Sequence, residues 1–396
     1  MPAKQVERMF GAAAKRIEIG IVLQGGGALG AYECGGVCAL LELMDEAEAA
    51  GRCPTLRAVS GVSIGAINAA CVVGSHDRKD ARRRLNGLWD DLTLSAPDFW
   101  PKEAQRDLSL FGLPGFYLPR FDLVGFGTWT AYYNTRPLLR TLNRHVDFAA
   151  INRSETTLVI TAVNVESGEL KRFCNHRLGS DDPSHITPKH VMASGSLPPQ
   201  FPWTEIDRQF YWDGGLVDNA PLGDAIDAFS SDADVERVLV VLNLYPLRAR
   251  RPRSLADVED RMHELSFGNH MRQDRKAAER VNDLIETIEQ LAARVPPGEI
   301  SAELHTRIER ARRCKAIHIV DVDVQSVQDR GGAIGDQHES DGQYGLRDFS
   351  RATVHRRREE GYRIARTCLS PIFASLGSGP GAEPELASRQ QPQPTH

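Results

Sequence analysis

The sequence lacks the marks of several protein classes. No run of about 18 apolar residues occurs, so no membrane-spanning helix is expected and any bilayer contact should be peripheral. There is no basic excess: the formal net charge is −5, and nucleic acid is not an expected partner. Cysteines are few and odd in number (Cys34, Cys38, Cys53, Cys71, Cys174, Cys314 and Cys368), and no CxxC pair is present. A secreted disulfide framework favours even, clustered cysteines, so reduced thiols and an intracellular, cytoplasmic location are expected. Cys34 and Cys38 lie four apart on a predicted helix, but no His/Cys pair stands out to complete a metal site. The opening MPAKQVERMFGAAAKR lacks the apolar stretch of a secretory signal, and the chain shows no internal repeat.

What remains is the profile of a globular chain, 41% hydrophobic and 26% charged, with room in 396 residues for one large domain and additions. Residues 1–16 read as a flexible leader. IEIGIVLQ (17–24) reads as a strand, GGGALG (25–30) follows it, and an apolar-periodic helix runs to about Ala50. LRAVSG ends a second strand at Gly61, and a second helix begins just after Ser63. Strand–turn–helix, twice within about 60 residues, signals a parallel α/β sheet. Further strands are expected at 156–165, 170–174, 208–212, 237–244 and 315–324. Near residue 246 a basic, proline-containing stretch reads as a linker. One or two long polar helices are expected at 255–294, another to about Arg313, and a charged helix at 347–370. The tail 371–396 is rich in Gly, Ser, Pro and Gln and reads as disordered.

Three motifs carry chemistry. Gly61-Val62-Ser63-Ile64-Gly65 fits G-x-S-x-G, which seats a serine on a sharp strand-to-helix turn. The pattern alone arises by chance in about one chain in seven of this length. Here its context is right, a β-type run before it and a helix-forming run after it. The bland alternative is a glycine-rich turn with Ser63 as a helix N-cap. Gly25-Gly26-Gly27-Ala28-Leu29-Gly30 fits the dinucleotide fingerprint, but that reading needs an acid closing the second strand. The serine turn occupies that place, which argues against a nucleotide. Backbone N–H groups at such a loop can instead receive the negative charge that forms on a carbonyl oxygen during acyl transfer. Asp213-Gly214-Gly215 places a carboxylate on a glycine turn after a strand-like stretch. A carboxylate hydrogen-bonded to Ser63 could take its proton, although Asp is ordinarily a weak base for a hydroxyl. Alone, Asp-Gly-Gly is most often a simple turn.

These motifs, in this order, together with ASGSLPPQFP (193–202) and YWDGGLVDNAPL (211–222), resemble the patatin-like phospholipase family over about residues 17–245. The resemblance implies a three-layer α/β/α fold with a mainly parallel central sheet, and a helix-rich C-terminal extension at 246–370. It implies hydrolysis of lipid acyl esters with neither cofactor nor metal. Ser63 would be the nucleophile and Asp213 the proton acceptor. Gly25, Gly26 and Gly27 would form the oxyanion hole, and Gly30, Gly61, Gly65, Gly214 and Gly215 would support the motifs. Many family members carry Arg or Lys where this chain has Leu29, so phospholipid headgroups are not specifically implied. A second reading keeps the fold as a catalytically quiet lipid-binding or scaffold protein.

Other features have competing uses. A Ser–Asp–His triad would need a histidine beyond Asp213, and the candidates are His263, His270, His305, His318, His338 and His355. Ten aromatic residues fall between Phe99 and Tyr133 in a chain with only 14 Phe, 8 Tyr and 5 Trp, which suits a lid, an acyl-chain wall or an ordinary flap. Arg82–Arg84 and Arg356–Arg358 could meet anionic lipid, but solvated helix faces are the default. The helices at 255–313 could serve as a homo-oligomerisation arm.

Overall fold

The computed structural model describes residues 16–97, 99–121, 129–179, 181–230, 232, 235–245, 251–252, 255–292, 294, 301, 303, 317–323 and 345–376. The expected leader, apart from Arg16, lies outside this set, as do most of the linker near 246 and the expected helix to Arg313.

The first half alternates strands and helices. β1 (Arg16–Leu23) leads through a glycine turn into α1 (Gly30–Ala49), and β2 (Pro54–Gly61) into α2 (Ile64–Val73). Next come α3 (Arg78–Asp91), the short α4 (Lys102–Asp107), and a two-stranded ribbon of β3 (Leu118–Pro119) and β4 (Tyr133–Asn134). α5 (Arg136–His145) and α6 (Phe148–Ile151) precede β5 (Thr157–Asn164) and β6 (Leu170–Cys174). α7 (Pro188–Ser194), β7 (Thr204–Ile206), β8 (Gln209–Asp213), α8 (Leu222–Asp227) and β9 (Val235–Leu242) follow. The chain closes with α9 (Leu255–Ala292), β10 (His318–Val322) and α10 (Arg351–Ser375).

β10, β9, β1, β2 and β5 pair in that order, all in parallel. Parallel strands are covered on both faces, which is why β1 and β9 read as nearly unbroken apolar runs. Their alternate residues enter two separate cores. Ile17, Ile19, Ile21 and Leu23 face the larger one with α1, α2, α3 and α10. Val22, Leu239 and Val241 face the smaller one with α8 and Ala278 of α9. The molecule is therefore a three-layer α/β/α structure.

The far edge of β5 decides where the site forms. Ile160 pairs with Gly61 of β2 on one side and with Phe173 of β6 on the other. Two residues on, Ala162 still pairs with β6 through Lys171, but its other partner is now Asp213 of β8. β2 thus leaves the β5 edge at Gly61 and β8 takes its place. The two strand ends meet there, bringing Ser63 and Asp213 together.

α1 is buried almost all round. By length and composition Gly27–Ala49 could cross a membrane, the one such helix among the described residues, yet 83% of its apolar window is buried inside the protein. α10 crosses α1 backbone to backbone: a Cβ on Gly35 would lie 1.9 Å from the Arg358 oxygen, and one on Gly361 2.0 Å from the Tyr32 oxygen. Residues expected in a C-terminal extension are thus built into the sheet and core. The helix also continues past Pro371, where disorder was expected. Proline there removes one N–H and crowds the preceding turn, but burial of Leu369, Phe373 and Leu376 outweighs that cost.

The arginine runs are not merely solvated faces. Arg82 bridges to Asp45 at 2.6 Å and Arg84 to Asp80 at 2.7 Å, while Arg358 joins α10 to Asp90 of α3 at 2.9 Å. The six described cysteines carry free thiols.

Candidate active site

Ser63 sits between the end of β2 and the start of α2 with φ 55° and ψ −123°, a conformation that L-residues rarely adopt. The flanking glycines make the turn sterically feasible. A Cβ on Gly61 would lie 2.5 Å from the Gly65 oxygen, and one on Gly65 2.4 Å from the Leu23 oxygen. Ser63 occupies the N-cap position, but its hydroxyl makes no capping hydrogen bond. Its backbone N–H donates to the Ser194 hydroxyl at 2.9 Å.

Asp213 lies beside Ser63, close enough for the Ser63 side chain to favour its charged form. Asp213 is 2% exposed and also accepts the Gly215 N–H at 2.8 Å. Burial raises its pKa to about 7, although the Ser63 side chain and the Gly215 N–H both favour the charged form. A carboxylate is a poor base at its ordinary pKa, and a value near neutrality improves the match to a proton-transfer role. Gly214 and Gly215 open a 3-10 turn after β8, and Gly30 begins α1.

The glycine loop approaches from the end of β1. A Cβ on Gly25 would lie 3.1 Å from the Ser63 Cβ. Among the described residues, the N–H groups of Gly25, Gly26 and Gly27 donate to no protein acceptor. Gly27 has φ 52°, and the next N–H, that of Ala28, donates to the Leu346 oxygen at 2.9 Å. A buried polar network backs the loop. Glu33 is fully buried; burial pushes its carboxyl well above the usual range, against hydrogen bonds from Asn68 (3.0 Å) and the Gln24 N–H (2.6 Å). Trp89 donates to Asn68 in turn, tying α1, α2 and α3 together behind the site.

Among the described residues no histidine hydrogen-bonds to Ser63 or Asp213. His318 and His355 are exposed on β10 and α10. The side chains of His263 and His270 lie outside the described set, as do His305 and His338. Among the described residues no cluster of three or more His, Cys, Asp or Glu could hold a metal.

The aromatic segment divides in two. Phe116, Tyr117 and Tyr133 stack with Phe201 into an inner wall. The Tyr133 N–H reaches the Gln200 oxygen at 3.0 Å, tying this wall to the loop that follows Ser194. Phe99, Phe111 and Phe121 are instead 85%, 76% and 81% exposed. Phe126 lies outside the described residues. Ser194, Asn219, Tyr245 and Leu346 were not singled out by sequence reasoning. The first two fall within stretches that carried the family resemblance, which is the signal that could have found them.

The patatin-like phospholipase family model matches residues 21–226. No curated protein sequence matches the chain. Among solved structures it is similar to VipD from Legionella pneumophila, at 15% identity over 91% of this chain and 67% of that one, with a TM-score of 0.39. It is also similar to human GIVD cytosolic phospholipase A2 in complex with methyl gamma-linolenyl fluorophosphonate, at 13% identity over 94% of this chain, with a TM-score of 0.42. It spans 62% of that enzyme's length. The family match takes in Ser63, Asp213 and the glycine loop and covers just over half of the sequence: the chain belongs to the patatin-like phospholipase family.

Proposed function

We propose that the protein is a serine hydrolase of lipid acyl esters that works through a Ser63–Asp213 dyad. The observation that carries this reading is the strained Ser63 turn, which sets its side chain beside the buried Asp213 carboxylate. Asp213 takes the hydroxyl proton as Ser63 Oγ attacks the ester carbonyl carbon. The carbonyl oxygen becomes an oxyanion, received by N–H groups of Gly25, Gly26 and Gly27. The intermediate collapses, and the departing alcohol takes the proton from Asp213. Water then attacks the acyl-serine, giving a proton to Asp213 that returns to Ser63 as the fatty acid leaves. Every proton taken up is released, so the cycle needs no co-reactant but water.

The inner aromatic wall offers apolar surface for an acyl chain, and the exposed Phe99, Phe111 and Phe121 suit contact with a lipid surface. The test is hydrolysis of nitrophenyl esters of increasing acyl length by the wild type, Ser63→Ala and Asp213→Asn. Turnover that rises with chain length and disappears in both variants is expected. Turnover that survives Ser63→Ala overturns the mechanism.

A further inference from the structure

Beside the Ser63 turn, a backbone carbonyl is held by two buried side-chain donors. The Gly25 oxygen accepts from Asn219 Nδ2 at 3.0 Å and from the Tyr245 hydroxyl at 2.6 Å. Asn219 follows the Asp213 turn, and Tyr245 lies just beyond the end of β9, so the two donors reach the loop from different elements. Asn219 and Tyr245 are 2% and 3% exposed, and a Cβ on Gly25 would lie 2.5 Å from Asn219 Oδ1. Their positions are fixed as well: the Tyr245 ring packs on Phe267 of α9 with centroids 5.6 Å apart, and the Tyr245 N–H donates to Asn243 at 3.1 Å.

A peptide unit is planar, and in the trans form its C=O and N–H point in opposite directions. Holding the Gly25 oxygen therefore fixes the direction of the Gly26 N–H. That N–H has no protein acceptor among the described residues. Glycine flanks the peptide on both sides, so the backbone itself gives little resistance to rotation of the unit. We infer that Asn219 and Tyr245 are positioning residues, which clamp the Gly25–Gly26 peptide so that its N–H faces the oxyanion formed during ester cleavage. The inference rests on the Ser63 hydrolase reading and adds the element that orders its oxyanion hole. Pre-orientation matters because a donor aimed in advance needs no reorganisation as charge develops.

The experiment compares wild type, Tyr245→Phe, Asn219→Ala and the double variant on an oxygen ester and on its thionoester, in which C=S replaces C=O. Tyr245→Phe keeps the ring and its packing and removes only the hydroxyl. The active fraction of each protein is titrated with a fluorophosphonate, and Ser63→Ala is measured in parallel. Loss of a whole oxyanion donor costs about 10²–10³ in kcat, so loosening one is expected to lower kcat on the oxygen ester about tenfold per variant, with KM within twofold. The oxygen-ester to thionoester ratio of kcat should fall with it, because sulfur makes poor use of the N–H donors. A partly unfolded protein would lose both activities equally and leave that ratio unchanged. An unchanged ratio in Tyr245→Phe and in the double variant, with Ser63→Ala inactive, overturns the clamp and leaves the hydrolase standing. Turnover by Ser63→Ala overturns both.

Discussion

Asp213→Asn should make the protein more stable while removing its activity, and the gain should grow with pH. The wild-type carboxyl is buried, with a pKa raised from 3.8 to about 7. Between those values the folded protein holds a proton that the unfolded chain has released. Stability from this group is therefore greatest below about pH 4, falls as pH rises, and levels off above about pH 7. At about 1.4 kcal/mol for each pH unit, the loss reaches about 4 kcal/mol at pH 8.5 and only about 1.5 kcal/mol at pH 5. Asparagine keeps the shape, can still accept the Gly215 N–H, and carries no charge to bury. In a chain of this size that difference corresponds to a Tm increase of roughly 5 °C at pH 8.5 and about 2 °C at pH 5. Thermal unfolding of both proteins across pH 5–8.5 measures it. The wild-type kcat/KM should run the opposite way, rising with pH through a midpoint near 7 as Asp213 ionises. Unfolding curves that differ by the same amount at every pH, or a variant less stable at pH 8.5, would refute the reasoning.

Other substitutions probe the frame around Ser63 and Asp213. Gly361→Ala drives a methyl group into the Tyr32 carbonyl and should separate α1 from α10, costing about 2–3 kcal/mol in urea unfolding. Gly27→Ala meets the Leu346 oxygen at 2.4 Å and a positive φ, so it should cost at least about 1–2 kcal/mol and expose residues 345–347 to limited proteolysis. Phe99→Asp combined with Phe121→Asp should lower turnover of vesicle-borne lipid about tenfold, because exposed aromatics favour membrane interfaces. The same pair should leave a soluble short-chain ester unaffected, and an equal loss on both substrates would count against an interfacial role.

Much of the site was legible in the sequence because its parts have local signatures. A parallel strand covered on both faces is apolar along most of its length, so β1 and β9 stand out. A serine held at φ 55° needs small neighbours, so Gly61 and Gly65 flank it. The contacts between these parts are less visible. Nothing in the sequence says that β8 replaces β2 along β5 two residues past Ile160, yet that exchange is what brings Ser63 and Asp213 together. Asn219 and Tyr245 belong to no local motif that marks a role, and their common target is a backbone oxygen. Leu346 is harder still: it contributes a carbonyl, which every residue has. Pro371 misled for a different reason, since the local rule against proline in helices says nothing about the burial of Phe373 and Leu376.

The bond from Ala28 to the Leu346 oxygen sets an order in time. Synthesis proceeds from the N-terminus at about 5–20 residues per second. The serine turn can therefore leave the ribosome long before the segment that packs on the glycine loop. About 280 residues separate Ser63 from Leu346, so the interval is roughly 15–60 s at those rates. Throughout it, the nascent chain carries the Ser63 turn without the last support of the loop and without α10 over α1. A chain terminated ahead of Leu346 stays in that condition, so maturation of the site is tied to completion of the C-terminal helix.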